Sequence, residues 1–271
     1  MAVNTSPRRE YRVRRTVYTG REQRQLEELF GAFEEADIGY VVPRNYRGLP
    51  EYVHGGDVDV LVRSDYYAEA IARAEALGFE AQSSATDGLS ELIRTGLSKP
   101  RAALAFATNH PGRLVEHVRR TMGWVDHGNG EVAQHYAERK LYDGDLMVHL
   151  MNHLAYTSPL NGVQIRVDPR VEEALYERSR LVDGLRVPSP PDELAHLVCR
   201  GVFDKEGSFP NYYVDRCEEL KADVYGSDST RTTFESLLSM LFFDASAVVY
   251  DHVDRGEYDS IRRELIRYDR Y

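Results

Sequence analysis

Gly55-Gly56-Asp57-Val58-Asp59-Val60-Leu61-Val62 decides the reading of this chain, because it sets two carboxylates two residues apart at the mouth of a β-branched run. Side chains alternate along a strand, so Asp57 and Asp59 project from one face. Two like charges held that close repel and call for something positive between them. Mg²⁺ is the usual answer, a hard ion that takes one or two carboxylates and completes its shell with water and phosphate oxygens. The octapeptide therefore predicts metal-assisted phosphoryl chemistry on a strand that begins at a Gly-Gly turn.

The flanks supply the elements around that strand. Arg21 to Asp37 carries Leu26, Leu29, Phe30 and Phe33 at helical spacing among charges, which predicts an amphipathic helix ending near Gly39. Tyr40-Val41-Val42 reads as a short strand stopped by Pro43. The loop Arg44-Asn45-Tyr46-Arg47-Gly48-Leu49-Pro50 leads through His54 into the Gly-Gly turn. Past the strand, Ser64 or Asp65 is placed to cap a helix from Tyr66 to Leu77, followed by Gly78 and a short strand, 79–83. Residues 87–122 show no strand pattern and have Pro100 and Pro111 at helix-start positions, so they read as a helical insertion. Asp143-Gly144 is a hairpin turn between strands at 135–142 and 145–153. Gln164 to Val167 is expected as an edge strand, and Pro169 opens a helix to about Val182.

At Ser189-Pro190-Pro191-Asp192-Glu193 the character changes. Ser189 is an N-cap candidate with acids in the first turn, and periodic helix broken at Gly207, Gly226 and Gly256 follows to the end. The expected organisation is a flexible N-terminal segment at 1–20, an α/β domain at 21–187 with its insertion near 87–122, and a helical domain at 188–271. The fold class is α+β.

Composition narrows the function. The chain has 271 residues, 42% of them hydrophobic, and a net charge of −10. Such acidity disfavours general nucleic-acid binding, which depends on Lys and Arg neutralising many phosphates. No run of about 18 apolar residues is present, and Met1 to Arg15 is polar and Arg-rich without an apolar h-region, so a cytoplasmic protein with no membrane partner is expected. Cys199 and Cys217 are expected as buried thiols, since two cysteines alone make no zinc site.

A helix, a strand, a polar loop and a strand bearing Gly-Gly-Asp-Val-Asp, with a further strand later, together resemble the polymerase-β-like nucleotidyltransferase superfamily over roughly residues 26–155. The resemblance implies a nucleotidyltransferase-type mixed sheet flanked by helices, with a helical C-terminal domain. It also implies Mg²⁺- or Mn²⁺-dependent transfer of a nucleoside monophosphate from an NTP to an acceptor hydroxyl whose identity the sequence leaves open. Asp57 and Asp59 match the family's catalytic, metal-ligating pair, and Gly55 and Gly56 match the turn where a missing Cβ lets backbone approach a phosphate. Pro43-Arg44-Asn45 stands where the family has Gly-Ser, so Arg44 and Asn45 become the nucleotide-binding candidates. The family's third carboxylate falls on Asp145-Leu146-Met147-Val148-His149, where alternation puts Asp145 and His149 on one face as alternative metal ligands.

Plainer readings stand beside these. An acidic pair before an apolar strand also occurs in an ordinary capped turn, and loop Arg and Asn residues often just satisfy backbone groups. His149 and His153 have a zinc-like H-x-x-x-H spacing, but no Glu follows the first His. Tyr212-Tyr213 and Tyr66-Tyr67 can stack on a base or sit at the core edge. Leu194, Leu197, Val198 and Val202 form a core stripe that leaves His196 and Arg200 for a cleft or a solvated face. The competing function is a catalytically degenerate nucleotidyltransferase-like module that binds a nucleotide or partner. A metal-dependent phosphohydrolase ranks last.

Overall fold

The computed structural model describes residues 15–81, 138–157, 164–205 and 207–265. It is a mixed α+β structure with a five-stranded mixed sheet and a helical C-terminal region. The chain enters through β1 (Arg15–Val17) and α1 (Gly20–Glu35), then β2 (Tyr40–Val41), β3 (Tyr52–His54) and β4 (Val58–Val62). After α2 (Tyr67–Ala76) come β5 (Glu80–Ala81), β6 (Glu138–Asp143) and β7 (Leu146–Met151). The sheet order is β2-β4-β7-β6-β5, with β4 and β7 parallel and the remaining neighbours antiparallel.

All five residues of β4 are buried, because both faces of this central strand are covered. Val58, Val60 and Val62 pack with Leu26, Phe30 and Phe33 of α1 and Ala70 and Ala74 of α2. Leu61 points the other way, into a core shared with the helical region. Each fully buried side chain of this kind contributes about 2 kcal/mol relative to exposure. Asp59 has the parity of Leu61, so it lies on the face that the helical region covers.

That region begins after two short paired elements. β8 (Ala155–Thr157) pairs with β9 (Gln164–Arg166) as a separate ribbon, so the expected edge strand does not join the main sheet. α3 (Pro169–Glu177) is capped by the Asp168 carboxylate, which accepts from Arg170 N at 2.9 Å, and it ends well before Val182. Residues 180–182, expected to continue it, instead form β10 (Arg180–Val182), paired in a hairpin with β11 (Leu185–Val187). Its turn is Asp183-Gly184, with φ of 49° and 80°, the left-handed pair that such a tight hairpin requires. The hairpin docks beside β2, where Val42 N donates to Arg186 O at 2.8 Å.

α4 (Pro190–Cys199), a π-helical turn (Arg200–Asp204), α5 (Asn211–Tyr225), α6 (Asp228–Phe242), α7 (Ser246–Asp254) and α8 (Tyr258–Leu265) complete the fold. Breaks occur at Gly207, Gly226 and Gly256 as expected, with a further break at Phe243, φ 48°. Residues 228–254 have the length and hydropathy of a membrane span. The chain turns at Phe243, and Phe234, Leu238, Phe242, Val249 and Val253 are buried in the core. Cys199 and Cys217 are free and buried, as read from sequence.

Local capping departs from expectation at several points. Residues 15–20, placed with a flexible N-terminal segment, are ordered here: β1 pairs with β3, and Thr19 N donates to the Glu22 carboxylate at 2.6 Å to start α1. Ser64 does not cap α2; its hydroxyl donates to Asn152 O at 3.0 Å. Ser189 is the N-cap residue of α4, as expected, with its hydroxyl donating to the Asp192 carboxylate instead of accepting from a backbone N–H. The insertion near 87–122 lies outside the described residues.

Candidate metal centre

Register assembles the site. Asp59 on β4 sits directly opposite His149 on the parallel strand β7, and Asp57 is two residues back on the same face. One ligand atom from each of Asp57, Asp59 and His149 lies within 4.8 Å of the other two. Asp59 is buried at 6% exposure and His149 at 9%, whereas Asp57 is only partly covered. The cluster therefore has a closed rear and an open front.

Asp145, the alternative third ligand, stays outside. It is exposed at the β6–β7 turn, before the first residue of β7. The parallel register starts Val58 opposite Val148, which leaves Asp145 three positions short of the start of β4. Histidine, not aspartate, completes the cluster. His153 does not join His149: it contacts the Glu172 carboxylate at 3.1 Å, and that carboxylate also accepts from Leu154 N at 2.8 Å and from Arg166 at 3.0 Å.

The electrostatics are dominated by positive groups gathered around Asp59. Arg44, itself buried at 8% exposure, forms an ion pair with one Asp59 oxygen, and His149 Nδ1 lies 3.1 Å from the other. Burial by itself would raise the Asp59 pKa, but the Arg44 guanidinium and the His149 hydrogen bond hold it well below the usual carboxylate range. Burial likewise disfavours a charged His149. Hydrogen bonds to Asp59 and, through Nε2 at 3.2 Å, to Glu138 overcome it and raise the pKa to about 9. At neutral pH His149 is thus an imidazolium with a carboxylate at each nitrogen. To ligate a metal it must first release a proton.

Arg44 was expected to meet phosphate; here it neutralises Asp59. Asn45, with φ 60°, uses its side-chain amide to donate to His54 O at 3.0 Å, which ties the loop after β2 to the strand that leads into the Gly-Gly turn. Gly55 has φ 109°, a conformation that excludes ordinary side chains, and Gly56 has open space where a Cβ would stand. The turn therefore leaves backbone accessible beside Asp57.

His196 and Arg200 do not lie on a solvated face. His196 is buried, its Nδ1 is 2.8 Å from the Tyr156 hydroxyl, and its Nε2 has no partner among the described residues. Burial, then Arg200 and Arg44, keep it well below its ordinary pKa and neutral. Arg200 pairs with Asp204 at 2.7 Å and adds positive potential at Asp59. Glu138 is not recognisable from sequence as a site residue, and Arg200 is legible only as a residue free to face a cleft or solvent. Glu138 sits in a legible strand, but its approach to His149 follows from the β6–β7 register, with Lys140 opposite His149.

A cavity of about 310 Å³ is bounded by the loop of Asn45, Tyr46 and Arg47, which follows Arg44, by Tyr52 and His54 of β3, and by α4 and α5. Tyr212 belongs to this wall, stacked on His54 with ring centroids 5.3 Å apart. No protein-family model, no curated protein and no solved structure matches the chain.

Proposed function

We propose that this chain is a metal-dependent nucleotidyltransferase that moves a nucleoside monophosphate from an NTP to an acceptor hydroxyl. The observation that carries the reading is the convergence of Asp57, Asp59 and His149 within 4.8 Å at the Gly-Gly turn. A nucleotidyltransferase-type fold is supported by the placement of the Asp-x-Asp strand between an antiparallel and a parallel neighbour, with the third ligand on the parallel one.

The donor set fits a divalent ion. Two carboxylates and an imidazole suit Mn²⁺ better than Mg²⁺, because nitrogen is the softer donor. A metal held there supplies charge stabilisation at phosphoryl oxygens and favours ionisation of the attacking group. In the transfer, the acceptor oxygen bonds to the α-phosphorus, the bond from that phosphorus to the bridging oxygen breaks, pyrophosphate leaves and the acceptor proton passes to water. Asp57 and Asp59 hold the charge balance. Arg44, relieved of Asp59 when a cation arrives, is placed to turn its fork of donors towards phosphate.

A second reading is favoured by one observation. The buried Arg44–Asp59 pair already supplies the positive charge that an ion would bring, which is what a degenerate nucleotide-binding module requires. Calorimetric titration of the full chain with each of the four NTPs, with and without Mn²⁺, separates the two. Metal-dependent binding that is lost in Asp57→Asn, together with release of pyrophosphate from labelled NTP, is expected. Metal-independent binding that survives Asp57→Asn supports the module. Failure to bind any NTP overturns both.

A further inference from the structure

We infer that the cavity between the Asn45 loop, β3, α4 and α5 is the acceptor subsite and that it takes a neutral, unphosphorylated sugar ring. This identification of the acceptor rests on the transferase reading. The binding itself does not.

Position comes first. Asn45 and His54 line the cavity, and they flank in sequence the two elements of the cluster, Arg44 and the Gly55-Gly56-Asp57 turn. Tyr213, also in the lining, neighbours Arg44 from the other side. The chain segments that line the cavity thus run directly into those that carry the cluster, although Asp57, Asp59 and His149 themselves do not line it. At about 310 Å³ the space is at the small end of ligand pockets, sufficient for a single ring and tight for a nucleotide.

Charge then selects among ligands. Three carboxylates, Glu193, Asp215 and Glu219, face two guanidinium groups, Arg47 and Arg216. Burial and the nearby Arg15 lower the pKa of His54, so it adds no charge at neutral pH. The lining has one more carboxylate than guanidinium groups, and both guanidinium groups are paired, Arg47 with Glu219 and Arg216 with Glu193, so even with Arg15 over the Tyr52 ring the cavity offers a phosphate ester or a nucleic-acid backbone little positive charge.

The hydrogen-bonding frame is rigid and mixed. Arg216 Nε donates to Glu193 at 2.7 Å, Tyr46 Oη donates to the same carboxylate at 2.7 Å, and Arg216 reaches Glu219 at 3.1 Å. Interleaved carboxylates and guanidinium groups present acceptors and donors side by side, as vicinal hydroxyls need. The aromatic members offer faces and edges one at a time: Tyr52 and His54 meet at 90°, Tyr212 and Tyr213 at 71°, and the parallel pair His54–Tyr212 is closed on itself at 5.3 Å. That leaves no parallel slot between rings for a base, and the Tyr52 face is already covered by the Arg15 guanidinium.

Saturation-transfer NMR on the full chain, without metal or nucleotide, tests this with D-glucose, D-galactose, D-mannose and N-acetyl-D-glucosamine and with the 6-phosphates of the first three. At least one neutral sugar is expected to bind at concentrations up to about 10 mM. A phosphorylated counterpart should bind at least about tenfold more weakly, because of the carboxylate excess. Tyr212→Ala and Glu219→Gln should each weaken the interaction severalfold. Glu219 is half exposed, so its variant keeps the test informative if Tyr212→Ala fails to fold. Absence of binding by all four sugars, tighter binding of a phosphate ester, or binding indifferent to both cavity variants overturns the inference. If a sugar binds but incubation of the chain with that sugar, labelled NTP and Mn²⁺ releases no pyrophosphate, the transferase reading alone is refuted.

Discussion

Replacing Asp59 by asparagine tests whether the cluster is held together as described. The substitution preserves shape and removes the anion shared by Arg44 and His149, both buried. Removing one member of a buried ion pair leaves its partner uncompensated and typically costs about 3–5 kcal/mol. His149 provides a check on that magnitude. Its pKa stands at about 9 against an ordinary 6.5, and at about 1.4 kcal/mol per unit this corresponds to roughly 3 kcal/mol net, its contacts with Asp59 and Glu138 less the opposing effect of burial. The two figures describe overlapping interactions, so they are alternatives and are not added. For a chain of this size, about 2–4 °C per kcal/mol converts the loss to a fall in Tm of roughly 6–20 °C. Asp57→Asn is the matched control: it removes the other carboxylate, which is only partly buried and has no ion pair among the described residues, and should cost less than about 1 kcal/mol. The assay is calorimetric and urea unfolding of both variants at pH 7 in EDTA. A loss below about 1 kcal/mol for Asp59→Asn, or equal losses for the two variants, refutes the reasoning.

Three further outcomes follow from the same structure. Mn²⁺ at a hundredfold excess over its Kd should stabilise the wild-type chain by about 2.7 kcal/mol, Mg²⁺ should act more weakly at equal concentration, and Asp57→Asn should abolish both effects in a thermal-shift assay. In EDTA, His149 gives stability that is complete below its unfolded pKa of 6.5 and is lost as pH rises through its folded value of about 9. Stability should therefore fall between pH 7 and pH 9.5, and His149→Gln should flatten that fall in urea titrations at successive pH values. Finally, Gly201→Ala would place a Cβ 2.3 Å from the Phe209 ring and should cost about 1–3 kcal/mol. Gly31→Ala, with nothing within 4 Å in α1, should instead stabilise by about 0.5–1 kcal/mol, as unfolding curves will report.

The cluster illustrates how sequence and structure divide the information. Asp57 and Asp59 were legible as a pair because strand alternation is a local rule, and α1, β4, α2 and the β6–β7 hairpin were legible from periodicity and turn residues. Asp183-Gly184 is a turn signal in the sequence, but the strand before it, Arg180–Val182, falls within the helix expected from Pro169 to about Val182. Its own residues carry too little alternation to override the helical pattern before it. Choosing His149 over Asp145 required the offset between β4 and β7, and no local pattern contains that offset.

From its sequence alone this protein has a Gly-Gly-Asp-x-Asp strand, mixed α+β elements, a helical C-terminal region and two free thiols, all consequences of side-chain chemistry and short-range spacing. Tertiary structure alone decided that Arg44 folds back onto Asp59, that Glu138 flanks His149, that His196 and Arg200 are enclosed rather than solvated, and that the Asn45 loop and α5 enclose a cavity. The reason is physical. Periodicity says which side of an element is apolar, whereas the partner of a buried charge depends on which other element packs there, and that is settled only when residues far apart in the chain are brought into contact.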